Sequence, residues 1–302
     1  MAFDVADVLV SVILFLVMLG VGSSLTWREV KDVFRYPREL FLGLGLQLLV
    51  LPLLAFLLVE WSGLSPTLKV GIIVLAACPG GTTSNFISYL VRAKTALSIS
   101  LTSVNSIIIL FSIPLVVNLG LLRYMSTTGH LSLPFLQTIM NIFLVVLLPA
   151  GLGMLLRRFH PRGAERLERP VKVVSLVLLV VMLGVKFFAG HSMGGTDLSV
   201  ATALEVLPFV FGLHVLGLAV GFFGGRQAGF SDDASVTLGI EVGLQNTTLA
   251  LLVASALLDS PAITRPALVY ALFSFVTTVL FGWGVKRLLA RRHHVLMPGL
   301  RF

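Results

Sequence analysis

Glu241 is a carboxylate deep inside an apolar stretch, in the run Glu241-Val242-Gly243-Leu244-Gln245-Asn246-Thr247-Thr248. At the middle of a bilayer such a group costs about 2.5–3.5 kcal/mol on insertion scales, so it is normally kept for a partner, an ion or a proton. Its neighbours in sequence carry amide and hydroxyl oxygens, and none is basic. Oxygens of that kind, with carbonyls freed at a helix break, suit a hard cation such as sodium. The plainer alternative is a structural carboxylate neutralised by a buried base, with Lys186 and His214 as candidates.

A second run breaks the pattern of its surroundings: Cys78-Pro79-Gly80-Gly81-Thr82-Thr83-Ser84-Asn85, midway along an apolar segment over about 68–91. Proline removes a backbone donor and two glycines weaken a helix further. Broken backbone at membrane depth is tolerated only against protein or a water-filled cavity. The segment is either a kinked structural helix or a discontinuous one whose half-ends bind a solute. Gly243 places a similar break beside Glu241. Ser84 and Asn85 follow the first break. Ser98 and Thr102, four apart, share one helix face. Gln47 lies among leucines. Each is a ligand or interhelical glue. Thr82 and Asn246 adjoin half-helices whose N-terminal amides attract an anion. Sodium plus an organic anion is therefore the pairing that the chemistry points to. Asn105 lines a cavity or ties two helices together. His214 reads as a hydrogen-bonded structural residue or a proton carrier. Asp232 and Asp233, after Ser231, read as helix N-terminal caps.

Composition sets the frame for these residues. The 302-residue chain is 57% hydrophobic and 12% charged, with a mean hydropathy of +1.00, more apolar surface than a soluble domain can hide. An all-α polytopic membrane protein is expected, as one transmembrane domain over 1–302. The lone Cys78 excludes an internal disulfide framework and a cysteine zinc site. No nucleotide-binding loop or His-Glu-x-x-His zinc motif is present, which argues against an enzyme and an organic cofactor. Nor does the chain imply an oligomer.

Hydropathy places nine spans near 5–25, 39–60, 68–91, 95–122, 132–157, 171–190, 201–225, 234–258 and 266–290. The first reads as a span and not a cleavable signal, because Asp4 and Asp7 stand where basic residues would. The net charge of +8 is distributed by topology, which removes nucleic acid as the explanation. Arg28, Lys31, Arg35 and Arg38 fill the first loop, and Arg92 and Lys94 the turn after the third span. Arg157, Arg158, Arg162, Arg166, Arg169 and Lys172 follow the fifth, and Arg226 the seventh. Lys286, Arg287, Arg291, Arg292 and Arg301 end the chain. These are 18 of the 22 basic residues, all on one side. The positive-inside rule then puts the N-terminus outside and the C-terminus in the cytoplasm of a bacterial-type inner membrane. The tail Arg291-Arg292-His293-His294 is a cytoplasmic anchor with attraction to anionic lipid.

Spans three and eight are both broken, each follows a proline-containing span (Pro52, Pro208), and each is followed by one long span. Pairing spans one to four with six to nine sets paired members five spans apart. An odd separation makes the repeats inverted, the arrangement of a secondary transporter with its site at the repeat interface.

The runs CPGGTTSN and ALSISLT, with EVGLQN, resemble the bile acid:sodium symporter family and its bacterial members over essentially the whole chain. The resemblance implies a core domain (about 39–122 and 201–290) with two crossing broken helices, and a panel domain (about 5–25 and 132–190). It implies two coupling sodium ions. One would be held by Ser84, Asn85, Ser98, Thr102 and Glu241. The other would be held by Gln47, Glu241, Gln245 and the carbonyls of Val242 and Leu244. Thr82 and Asn246 would face the substrate, with Asn105 placed beside them. Pro79, Gly80, Gly81 and Gly243 would open the backbone. The chain departs from several bacterial relatives that it resembles. They have ten helices, and His-Asn pairs where this chain has His214-Val215 and Thr277-Thr278. The implied function is alternating-access symport of sodium with a small organic anion or bile-acid-like solute. A proton-coupled or uncoupled carrier of the same fold is the alternative.

Overall fold

The computed structural model describes residues 36–125, 143–188 and 195–296, together with 12–13, 15–16, 18–20, 22–23, 136 and 140. Most of the expected first span, the start of the fifth, and Arg28, Lys31, Arg35 and Arg301 lie outside the described residues, as do the side chains of His293 and His294.

All regular structure among the described residues is helical. α1 (Pro37–Gly45) runs through a π turn (Leu46–Val50) into α2 (Leu51–Glu60). α3 (Pro66–Ala77) and α4 (Thr82–Leu90) are separated by the first break, and α5 (Thr95–Met125) follows. A π turn (Phe143–Leu147) leads into α6 (Leu148–Phe159), then α7 (Pro161–Phe188). α8 (Val200–Gln227) precedes α9 (Asp232–Gly243), the second break and α10 (Thr247–Leu251). A last π turn (Leu252–Leu257) and α11 (Pro261–Leu296) complete the order. Among the described residues, five helices are long and apolar enough to cross a membrane, and the bent pair α3–α4 makes a sixth. The chain is a multi-pass membrane protein. α6 and α7 overlap in sequence the segments 132–157 and 171–190.

One expectation needs correction. Residues 158–170 read as a basic loop, yet only His160 interrupts the helices, and α7 starts at Pro161. Proline is preset for a first helical turn, and the following Ala, Glu, Arg and Leu are good helix formers.

The two breaks have matching local causes. α3 and α9 are both 12 residues long. α3 ends at Cys78, which precedes proline and is extended (φ −94°, ψ 101°). A residue before proline is disfavoured from helix by contact with the ring. α9 ends at Leu244 with nearly the same backbone (φ −98°, ψ 113°) although no proline follows. Past each break a helix restarts and a long helix follows, α5 with 31 residues and α11 with 36. The bend between α3 and α4 is 60°.

α3 is buried at nearly every position from Leu68 to Ala77, and α9 at every position from Ala234 to Gly243. A helix apolar and buried all round is a central one. Within Asp232–Ser255 an apolar 18-residue stretch is 83% buried, against 39% for one within Val200–Gln227, so the broken segment is sheathed by other helices. The sheath is close because α8 carries Gly217, Gly221 and Gly225 at four-residue spacing, and α9 carries Ser235, Gly239 and Gly243 likewise. A Cβ at Gly221 would lie 2.3 Å from the Leu238 carbonyl oxygen, and one at Gly217 2.7 Å from that of Val242. Small residues let helix backbones approach where lipid gives no hydrophobic drive.

Candidate functional site

The ends of the two breaks touch. The Asn246 N–H donates to the Pro79 carbonyl at 3.1 Å. A Cβ on Gly81 would meet Asn246 Nδ2 at 3.0 Å, and one on Gly80 would meet Glu241 Oε2 at 2.9 Å. α10 packs on α3 and α9 on α4, each half against the opposite half of the other segment. The glycines therefore do more than weaken a helix: they leave the room that Glu241 and Asn246 occupy.

Glu241 is 3% exposed. Its Oε1 accepts a hydrogen bond from Ser84 Oγ at 2.8 Å and a shorter one from Ser98 Oγ. Thr102 Oγ1 lies 3.5 Å from both carboxylate oxygens. Asn85 Oδ1 accepts from Ser98 Oγ at 2.7 Å and from Thr102 Oγ1 at 3.1 Å. The five residues of the first expected set thus converge from α4, α5 and α9. Each hydroxyl also has a second acceptor: Gly81 O at 2.6 Å for Ser84, and Asn85 Oδ1 for Ser98 and Thr102. A hydroxyl can therefore turn its proton off Glu241 and present a lone pair to a cation without becoming unsatisfied. No described basic side chain makes an ion pair with Glu241. The alternative of a base-neutralised carboxylate fails for His214, which bonds elsewhere, and Lys186 forms no ion pair with Glu241.

The second expected set also comes together. Gln47 Nε2 donates to Gln245 Oε1 at 3.0 Å, and Gln245 Nε2 donates to the Val242 carbonyl at 2.8 Å. Gln47 is 3% exposed and sits in the first π turn. Such turns widen a helix by one residue and recur at functional sites. Its Oε1 is a buried acceptor with no hydrogen-bond partner. Leu244 has left the helix, although its N–H still reaches Ile240 at 2.9 Å.

Thr82 and Asn246 line a narrow cavity with Gly80, Gly81, Thr102 and Ser106, closed by Met18, Ile109 and Leu249. Asn246 also caps α10, its Oδ1 accepting from the Leu249 N–H at 3.0 Å. Asn105 is not part of that wall; it is buried, with Oδ1 unpartnered. Ser231 and not either aspartate caps α9, accepting from the Ala234 N–H at 3.3 Å. Asp232 and Asp233 sit in the first turn instead, paired with Arg226 and Lys286.

Two contacts were not foreseen from sequence. Tyr270, fully buried in α11, spans the second break. Its hydroxyl donates to Gly243 O at 2.6 Å and accepts from the Gln245 N–H at 3.0 Å. His214 Nδ1 lies 2.9 Å from the same Gly243 oxygen, and Nε2 lies 2.8 Å from Thr277 Oγ1. The available signal was a tyrosine in an apolar span, since a buried hydroxyl must find a partner.

Two broken helices that meet around an oxygen-lined carboxylate are the arrangement expected at the site of a secondary transporter. The family model described as the Sodium Bile acid symporter family matches residues 11–193, more than half of the chain. The protein belongs to the sodium bile acid symporter family. It is 30% identical over 272 residues to a "probable sodium/metabolite cotransporter, chloroplastic" of Arabidopsis thaliana, an alignment covering 89% of this chain and 65% of the relative. It is 24% identical to a sodium-dependent transporter of Bacillus subtilis (87% of this chain, 78% of the relative). To an ileal sodium/bile acid cotransporter of Oryctolagus cuniculus it is 25% identical (92% and 78%). The chain spans only 65%, 59% and 58% of the length of three plant chloroplast relatives.

Proposed function

We propose that this protein is a sodium-coupled symporter of a small organic anion in the cytoplasmic membrane. The observation that carries the reading is Glu241, a buried carboxylate with no basic partner among the described residues, ringed by hydroxyl and amide oxygens of three helices. One sodium ion is bound as co-substrate by Ser84, Asn85, Ser98, Thr102 and Glu241. Its charge stabilises the carboxylate that burial alone disfavours. A second is bound by Gln47, Glu241, Gln245 and the Val242 and Leu244 carbonyls. The unpartnered Gln47 Oε1 supports that assignment.

The organic anion binds where Thr82 and Asn246 line the cavity. α4, a helix of nine residues, starts at Thr82, and a helix N-terminus favours an anion. Sodium braces the meeting point of the breaks, and substrate then binds between core and panel. The core moves against the panel to expose the site alternately. The inverted repeat and the nine-span topology belong to the same reading, supported by the matched geometry of Cys78 and Leu244. No oligomer and no organic cofactor enter it.

The test is uptake of candidate organic anions with sodium replaced by choline at fixed pH. Uptake should stop; uptake that persists and follows the proton gradient would replace this reading with a proton-coupled carrier. The orientation has its own check. Cys78 is fully buried, so a membrane-impermeant maleimide should label intact cells carrying Trp61→Cys and spare Arg287→Cys. The reverse pattern would invert the topology.

A further inference from the structure

The second break is held open by three polar side chains that belong to neither sodium set and not to the substrate wall. They are Tyr270 and Thr277 of α11 and His214 of α8. Tyr270 is fully buried and His214 is 1% exposed. Breaking α9 at Gly243 frees carbonyl and amide groups that lipid cannot satisfy. Tyr270 answers two of them with one hydroxyl, donating to Gly243 O at 2.6 Å and accepting from Gln245 N–H at 3.0 Å.

His214 fixes the hydroxyl in turn. Nδ1 lies 2.9 Å from Gly243 O and 3.0 Å from Tyr270 Oη. A carbonyl oxygen has only lone pairs to offer, so at this distance Nδ1 carries the proton and donates. In the neutral ring Nε2 is then an acceptor, and Thr277 Oγ1 at 2.8 Å donates to it. The ring packs edge-on against Tyr270 and Phe273, centroids 5.4 and 5.6 Å away, which holds its orientation. Both lone pairs of Gly243 O are thereby engaged. The backbone is pinned on either side of Leu244, at Gly243 O and at Gln245 N.

We propose that Tyr270, oriented by His214 and Thr277, is a positioning residue for sodium coupling. By fixing Gly243 and Gln245 it sets where the Val242 and Leu244 carbonyls and the Gln245 amide point, and it touches neither ion nor substrate itself. The proposal rests on the assignment of the second sodium to Gln47, Gln245 and those carbonyls.

The variant to measure is Tyr270→Phe, which keeps the ring and removes the hydroxyl. Losing one hydrogen bond to each of two backbone groups should raise the half-saturating sodium concentration about tenfold, in both thermal stabilisation and uptake. Thr277→Val should raise it less, Thr277→Ser should restore the native value, and the double variant with Tyr270→Phe should be less than additive. Hydrogen exchange read without sodium should accelerate over 243–247 in Tyr270→Phe. An unchanged sodium half-saturation, with only a lower sodium-free melting temperature, would make Tyr270 a packing residue and overturn the proposal. Unchanged exchange over 243–247 would overturn it irrespective of sodium. A wild-type protein indifferent to sodium, with exchange accelerated in the variant, would locate the failure in the sodium assignment and remove the role claimed for Tyr270 with it.

Discussion

At Gly80 the fit between backbone and carboxylate is tight enough to be tested with one methyl group. A Cβ there lies 2.9 Å from Glu241 Oε2 and 3.1 Å from Ser84 Oγ, and Ser84 Oγ is tied by hydrogen bonds to Gly81 O and to the other carboxylate oxygen of Glu241. At Gly81 the nearest atom, 3.0 Å away, is the terminal amide of Asn246, which caps α10 and is not among the groups around Glu241. Gly80→Ala should therefore raise the half-saturating sodium concentration about tenfold or abolish the response, since displaced ligands of a charged group lose interactions of order 1.5–3 kcal/mol. Gly81→Ala should leave sodium half-saturation within about threefold and act chiefly on substrate affinity, through Asn246. Sodium titrations of both variants, followed by thermal stability, separate the two effects. The hydroxyls around Glu241 follow the same logic: Ser84, Ser98 and Thr102 each hold an alternative acceptor, so the site exchanges a hydrogen-bonded carboxylate for a cation-bound one without stranding a proton.

At the scale of helices, α8 and α9 decide whether the second break can exist. Their glycine and serine rows bring backbone against backbone, and that contact carries His214 to Gly243. Gly221→Ala would push a methyl to 2.3 Å from the Leu238 carbonyl, an atom that cannot move alone. Overpacking of this kind costs about 1–3 kcal/mol, so the variant should melt several degrees lower in detergent. Gly212→Ala, on the same helix with its nearest neighbour 4.0 Å away, should melt as the wild type does. Equal melting temperatures would refute the close-packed reading. Much of this layer was legible in the sequence. Pro79-Gly80-Gly81 and Gly243 declared the breaks, and the polar residues from Glu241 to Thr248 marked the run where the second one falls. Other features left no such mark. The π turn holding Gln47 follows from packing around it, since nothing in a run of leucines encodes a widened turn. The helical start of α7 was hidden because charge density outweighed helix propensity in reading 158–170 as a loop. Tyr270 stood in an unbroken apolar span, where its partner across the fold could not be read from neighbours in sequence.

At the scale of the molecule, the ion pairs named among the described residues lie near helix ends, and Glu241 lies buried between them. Glu39–Lys94 (3.1 Å), Asp233–Lys286 and Asp232–Arg226 tie α1, the α4–α5 turn, α8, α9 and α11 at the end assigned to the cytoplasm. Glu60–Arg123 joins α2 to α5 at the other. Exposed pairs of this kind contribute little stability one by one. All four involve a charged side chain near a helix end. Between those ends, the carboxylate of Glu241 lies where α4 and α5 bring hydroxyl oxygens to it. A molecule built this way should be loosest with its carboxylate lacking a cation and firmest with sodium bound. Purified protein titrated with sodium chloride against potassium chloride, with melting temperature as the readout, measures that difference directly. Ligand at about a hundred times its dissociation constant stabilises the folded state by about 2.7 kcal/mol. The account predicts a rise of several degrees with sodium and none with potassium in the wild type, and no sodium-specific rise in Glu241→Gln or Glu241→Ala. A wild type that ignores sodium, or a Glu241 variant that keeps the full sodium response, would contradict it.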